Sequence, residues 1–89
     1  MRFWAKIWKD NHMVRDASVT IDDDDTRTHK VFRALDEVCL IFDLERPIWL
    51  ETNIREFRRH SSVRFRRDSF IEEIGFDCLE FMVLEEDQD

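Results

Sequence analysis

The run RFWAKIWKDNHMVRDASVTI, Arg2 to Ile21, alternates apolar and polar side chains on either side of a short polar interruption. A period of two places every second side chain on the same face of a strand. Phe3, Ala5 and Ile7 therefore share one face, and Trp4, Lys6 and Trp8 share the other. Asp10-Asn11 tolerates the positive φ that a tight hairpin turn demands, so the run reads as two antiparallel strands, Arg2–Lys9 and Met13–Ile21. In the second strand Ala17, Val19 and Ile21 form an apolar face opposite Asp16, Ser18 and Thr20. A two-stranded ribbon with one apolar face is marginal alone and needs an element to cover it.

That element follows at once. Val31, Phe32, Leu35, Val38, Cys39 and Phe42 recur at helical spacing between polar Lys30, Arg33, Asp36, Glu37 and Asp43, which predicts a helix from about Thr26 to Asp43. The four aspartates before it, Asp22–Asp25, suit a helix start. Asp25 or Thr26 can cap free backbone N–H groups, and the others gain from the positive end of the helix dipole. As a calcium loop they lack the alternating ligands, the turn glycine and the distal glutamate. The i,i+4 pair Asp25 and His29 has no third ligand, so no metal site is expected.

Pro47 cannot continue the helix and biases Arg46 towards an extended backbone. The segment PIWL, Pro47–Leu50, reads as a short strand or a crossing segment that carries Trp49 into the core. A second helix fits Asn53–His60, capped by Thr52 or Asn53 with Glu56 placed for a capping box and Leu50, Ile54 and Phe57 as its buried edge. Asp68 could cap one helical turn through Glu73, closed by Gly75 in the left-handed conformation. FDCLEFMVLE, Phe76–Glu85, is apolar on both faces: Leu79, Phe81 and Val83 on one, Phe76, Cys78, Met82 and Leu84 on the other. Such a strand suits a sheet centre. The acidic tail, residues 85–89, is expected to fray. The expectation is one α+β domain over 1–89: an antiparallel sheet from an N-terminal hairpin and a C-terminal strand, with one long and one short helix packed on one face.

Composition narrows the function. Eight Phe, three Trp and a hydrophobic share of 43% suffice for a packed core, while one Gly and one Pro argue against a low-complexity chain. The net charge of −7 opposes general attraction to nucleic acid or to an anionic membrane. No window of about 18 apolar residues offers a membrane span. The N-terminus has lysines inside its apolar run and no small-residue cleavage site, unlike a signal peptide. Cys39 and Cys78 stand far apart in apolar segments, which reads as two buried, reduced thiols in a cytoplasmic protein.

Chemical motifs are lacking. His12, His29 and His60 show no zinc spacing with each other or with cysteine. Ser61, Ser62 and Ser69 have no nucleophile-elbow context, and thiols in apolar surroundings are inert. A single glycine cannot build a phosphate loop. No catalytic, cofactor-binding or metal-binding residue is expected, and the chain does not read as an enzyme.

Two surface features remain. Arg55–Arg67 holds six arginines, Arg55, Arg58, Arg59, Arg64, Arg66 and Arg67, against Glu56, a local charge of +5. Interleaved with Phe65, they would suit contact with RNA, DNA or an acidic partner. The plainer reading is a solvated face whose arginines pair with acidic segments of the same domain. The second feature is the sheet face away from the helices, which would carry Trp4 and Trp8 from the first strand and Met82 and Leu84 from the last. Trp and Met are enriched at interface centres, so this face is the candidate dock for another protein or a second copy of the chain. The competing reading covers it with PIWL or with the Ser69–Ile74 turn.

The runs TRTHKVFRALDEVC, RPIWL and FRRHSSVRF, leading to DSFIEEIGFDCLEF, resemble a family of short bacterial proteins that has no assigned activity. That resemblance spans nearly the full chain and implies a small stand-alone cytoplasmic protein. It gives no functional residues to carry over.

Overall fold

The computed structural model describes residues 1–87. Asp10 and Asn11 both take positive φ, 51° and 66°, as a two-residue turn matched to strand twist requires. They join β1 (Arg2–Lys9) to β2 (His12–Thr20). There follow α1 (Arg27–Phe42), α2 (Glu51–His60), β3 (Ser62–Phe65) and β4 (Cys78–Glu85), with one 3-10 turn at Arg67–Ser69 before β4. The strands form a single antiparallel sheet in the order β2-β1-β4-β3. β4 is an inner strand, as its two apolar faces require. The architecture is the expected α+β one, with the hairpin and the C-terminal strand in one sheet.

Both helices lie on the face of Phe3, Ala5, Ile7, Leu79 and Phe81. Val31, Ala34, Leu35, Val38, Cys39 and Phe42 of α1 and Phe57 of α2 join those residues in one buried cluster. Its centre is aromatic. Phe81 stacks on Phe3 at 5.4 Å and on Phe57 at 6.2 Å between ring centroids. Trp49 stands edge-on to Phe65 at 4.8 Å, Phe57 at 5.6 Å and Phe32 at 6.2 Å. Each fully buried phenylalanine contributes about 2–3 kcal/mol of transfer free energy.

The helix ends follow from local chemistry. Thr26 caps α1, its Oγ1 accepting from the His29 amide at 3.2 Å. Asp43, in the left-handed conformation, closes it. The aspartates before α1 serve its start: Asp25 accepts from the Thr26 amide at 2.8 Å and Asp23 from the Asp25 amide at 3.2 Å.

α2 begins at Glu51, two residues before the expected start. Buried Asn53 accepts from the Leu50 amide at 3.0 Å and from the Ser69 hydroxyl at 2.9 Å. Glu56, expected in a capping box, instead accepts from the Arg64 amide of β3 at 3.1 Å. PIWL is an extended crossing segment rather than a strand.

The turn expected from Asp68 through Glu73 is confined to Arg67–Ser69, and Gly75 has no positive φ. Ser69 is held on both sides, by its hydroxyl to Asn53 and by its carbonyl, which accepts from the Ile48 amide at 2.7 Å. The chain leaves that clamp extended at Phe70. Phe76 precedes β4 and packs edge-on to Phe70 against the core, not on the outer face.

The described part of the acidic tail makes long-range ion pairs. Glu85 ends β4, Glu86 pairs with Arg27 at 2.6 Å, and Asp87 lies 2.6 Å from both the Met1 ammonium and Lys30 Nζ. Lys30 and Met1 are buried, so their charges hold Asp87 in place and keep its carboxyl below the usual range. The fraying expected of residues 88 and 89 lies outside the described residues. Among the described residues no helix is long and apolar enough to cross a membrane.

Candidate interaction face

With both helices on one side of the sheet, alternation turns Trp4, Lys6 and Trp8 of β1 to the other. Strand register supplies their neighbours, because directly opposed residues of an antiparallel pair share a face. Trp4 stands between Ser18 of β2 and Met82 of β4, and Met82 in turn opposes Ser62 of β3. Trp8 stands between Met13 and Cys78. Between these two rows runs a third, Asp16–Lys6–Glu80–Arg64, one residue from each strand with charge alternating in sign. The face is a stripe of charge flanked by two aromatic rows.

The stripe is bonded to its flanks. Trp8 Nε1 donates to Glu80 Oε1 at 3.1 Å, Arg64 Nε donates to Glu80 Oε2 at 3.3 Å, and Lys6 Nζ lies 3.6 Å from Glu80 Oε1. Trp4 Nε1 donates to Asp16 Oδ2 at 3.0 Å. Lys6 Nζ sits 3.8 Å from the centroid of the Trp4 ring and 5.9 Å from that of Trp8, a cation–π arrangement on both. Burial pushes the Glu80 carboxyl up. The hydrogen bonds from Trp8 and Arg64 and the charges of Arg64 and Lys6 outweigh it and hold Glu80 below its ordinary value. Both indoles are thereby fixed in orientation while remaining only half-buried.

Nothing in the described residues forms a second layer here. Trp49, from the segment that could have covered this face, packs on Phe32, Phe57 and Phe65 on the helix side. Phe70, within the Ser69–Ile74 stretch, and Phe76, just after it, pack against the main core. The four candidate interface residues thus fall on one side of the sheet, although unequally. Trp4 and Met82 are direct cross-strand partners, and Trp8 lies two residues along β1 from Lys6. Leu84 lies at a register shift where residues 84 and 85 together oppose Arg2, so it sits at the end of the face.

Met13 is a member that alternation alone assigns to neither row. A bulge at Val14 lets Ile7 oppose Arg15 while Trp8 opposes Met13, which brings the half-exposed Met13 beside Trp8.

The six arginines do not form one surface. Arg55, Arg58 and Arg59 stand exposed on α2, with Arg55 Nη2 3.7 Å from Glu51. Arg64 belongs to the charged stripe. Arg66 lines a depression of about 430 Å³ with Trp8, Asn11, Arg64, Asp77 and Cys78, and Arg67 lies in the 3-10 turn. A groove of about 350 Å³ between α1 and α2 carries Arg27 and Arg58 over Phe32, Trp49, Ile54 and Phe57, with no carboxylate in its lining.

The aspartates before α1 are engaged within the chain. Asp23 lies 2.7 Å from Arg33 Nη1, and Asp25 lies 2.9 Å from His29 Nδ1; these partners hold both carboxyls below the usual range. His12 and His60 are exposed at the start of β2 and the end of α2. Among the described residues no three His, Cys, Asp or Glu side chains are grouped to hold a metal ion. Cys39 and Cys78 are free and buried; burial pushes Cys39 up to about 11 and raises Cys78 as well. No family model, curated protein or solved structure matches the chain.

Proposed function

We propose that this chain is a small non-enzymatic accessory protein of the cytoplasm that works by docking another protein on the Trp4/Trp8 sheet face. The observation that carries the reading is the one-sided arrangement: both helices pack on one face, leaving two half-exposed, hydrogen-bonded indoles on the other. Aromatic anchors whose rotamers are already fixed lose little conformational freedom on binding, which favours them as interface centres. Met82 beside Trp4 and Met13 beside Trp8 add adaptable apolar surface.

Trp8→Ala tests the reading. The variant should keep a cooperative thermal transition and lose the association, with itself or with a partner, that the parent chain shows. If Trp4→Ala and Trp8→Ala both retain that association, the face is not the dock.

Nucleic-acid regulation through Arg55–Arg67 is the alternative. Its six arginines are distributed over α2, the sheet face and the 3-10 turn, and Arg64 is already bonded to Glu80. A mobility shift with DNA and RNA at low ionic strength, weakening steeply with salt, is what that alternative requires.

A further inference from the structure

The Trp4/Trp8 face is complementary to itself, and we infer that its occupant is a second copy of this chain. This rests on the reading of that face as a protein dock and goes further by naming what docks. The charged row runs Asp16, Lys6, Glu80, Arg64 across β2, β1, β4 and β3: minus, plus, minus, plus. Let a second sheet stack on the first, face to face, related by a two-fold axis parallel to the strands. That axis reverses the strand order and keeps the level along each strand. Asp16 then falls over Arg64 of the copy, and Lys6 falls over Glu80. Every charge of the row meets its opposite.

The flanking row obeys the same symmetry. Ser18, Trp4, Met82 and Ser62 run small, large, large, small across the sheet. The two-fold sets Trp4 over Met82 and Ser18 over Ser62, and in the other aromatic row it sets Trp8 at the position of the buried Cys78. An axis perpendicular to the strands would instead place Asp16 over Asp16 and Lys6 over Lys6. Closed two-fold dimers use one patch against itself, so a patch that matches under one axis and repels under the other selects its own geometry.

Net charge points the same way. Two chains of −7 repel over most of their surfaces. The row itself sums to zero, so this face offers an approach where that repulsion is locally absent.

The area sets the size class of the contact. The strands contain 29 residues. At about 3.4 Å rise and about 4.8 Å spacing the face covers roughly 470 Å². Two such faces bury about 900–1,000 Å², at the lower margin of specific interfaces. The dimer is therefore weak and concentration-dependent.

Charge exchange between two separate chains tests this. Lys6→Glu and Glu80→Lys each create like charges within their own sheet and, in a self-dimer, across the interface. Each variant alone should sediment as a monomer, with self-association weakened about tenfold or more. Mixed in equal amounts, the two should dimerise, because every cross-interface pair is then opposite. The repulsion inside each chain is unchanged by mixing, so recovery reports the interface alone.

Circular dichroism checks that each variant is folded. Asp16→Lys with Arg64→Asp repeats the experiment at exposed ends of the same row should either central variant unfold. A parent chain that stays monomeric to about 1 mM overturns the proposal. So does a parent dimer whose charge variants fail to recover on mixing. A monomeric parent that nevertheless captures a different protein, with Trp8→Ala abolishing capture, would sink self-docking and leave the face's role as a dock standing.

Discussion

Glu80→Gln isolates the electrostatic contribution of the node that holds the aromatic face together. Glutamine keeps an oxygen for the Trp8 indole N–H and nearly the same volume. It removes the charge that faces Arg64 at 3.3 Å and Lys6 at 3.6 Å. A hydrogen bond to a charged group contributes about 1.5–3 kcal/mol when shielded, and an exposed ion pair about 0–1. The Glu80 and Lys6 side chains are 12% and 15% exposed while Arg64 is 49% exposed, so the node lies between those limits. Loss of about 1–2 kcal/mol is expected, against a total of roughly 4–13 kcal/mol for a chain of this length.

The sign of the pH dependence follows from linkage. The folded pKa of Glu80 is lowered from 4.5. Its stabilisation is therefore fully present above the unfolded value and is lost as pH falls through the lower folded value. Glutamine does not titrate. Urea unfolding of both proteins, dilute enough to be monomeric, should give the full gap at about pH 7 and a much smaller one at about pH 3. An equal gap at both pH values would assign the effect to packing and refute the charge argument. No gap at neutral pH would remove the node from the stability of the fold altogether.

Phe81→Ala removes the ring that touches both Phe3 and Phe57 at a fully buried position, and should cost about 3–5 kcal/mol. Urea denaturation should find it near the limit of folding, while Phe81→Leu should cost markedly less; a Phe81→Ala midpoint close to the parent's would contradict the aromatic centre. Cys39, with its thiol pushed up to about 11, and buried Cys78 should react with a thiol reagent at neutral pH only as fast as the chain opens. Stoichiometric labelling of the native protein within minutes would show that at least one of them is accessible.

The hairpin and α1 could be read because each shows one strong period and a recognisable boundary, Asp10-Asn11 and Thr26, and β4 because it is a two-faced apolar run into Glu85. β3 could not. It has four residues, two of them apolar and alternating with a serine and an arginine, and pairing with β4 completes it rather than intrinsic preference. The Asp68 cap was undone by Ser69, whose two tertiary hydrogen bonds no local rule anticipates. Long-range charge likewise fixed the described tail, since Asp87 answers the buried Lys30 and the Met1 ammonium from the far end of the chain.

The site was half visible for a similar reason. Alternation tells which side of a strand a residue takes, but only register tells what stands beside it. The two-residue turn pairs Trp8 with Met13; continued without interruption it would pair Ala5 with Asp16 and put a carboxylate in the core. Keeping Ala17 and Val19 inside demands one extra residue, and Val14 is that residue. The parity conflict is present in the sequence, and resolving it assigns Met13 to the tryptophan face. The charged row has no such local signal. Asp16, Lys6, Glu80 and Arg64 come from four separate strands, and their alternation exists only once β4 lies between β1 and β3. A net charge of −7, with a basic stretch at Arg55–Arg67 between acidic clusters at Asp22–Asp25 and at residues 85–89, suggests a dipolar molecule. Folding takes one arginine out of that stretch and sets it in a neutral ladder, so the basic segment and the aromatic face, separate in sequence, meet at Arg64.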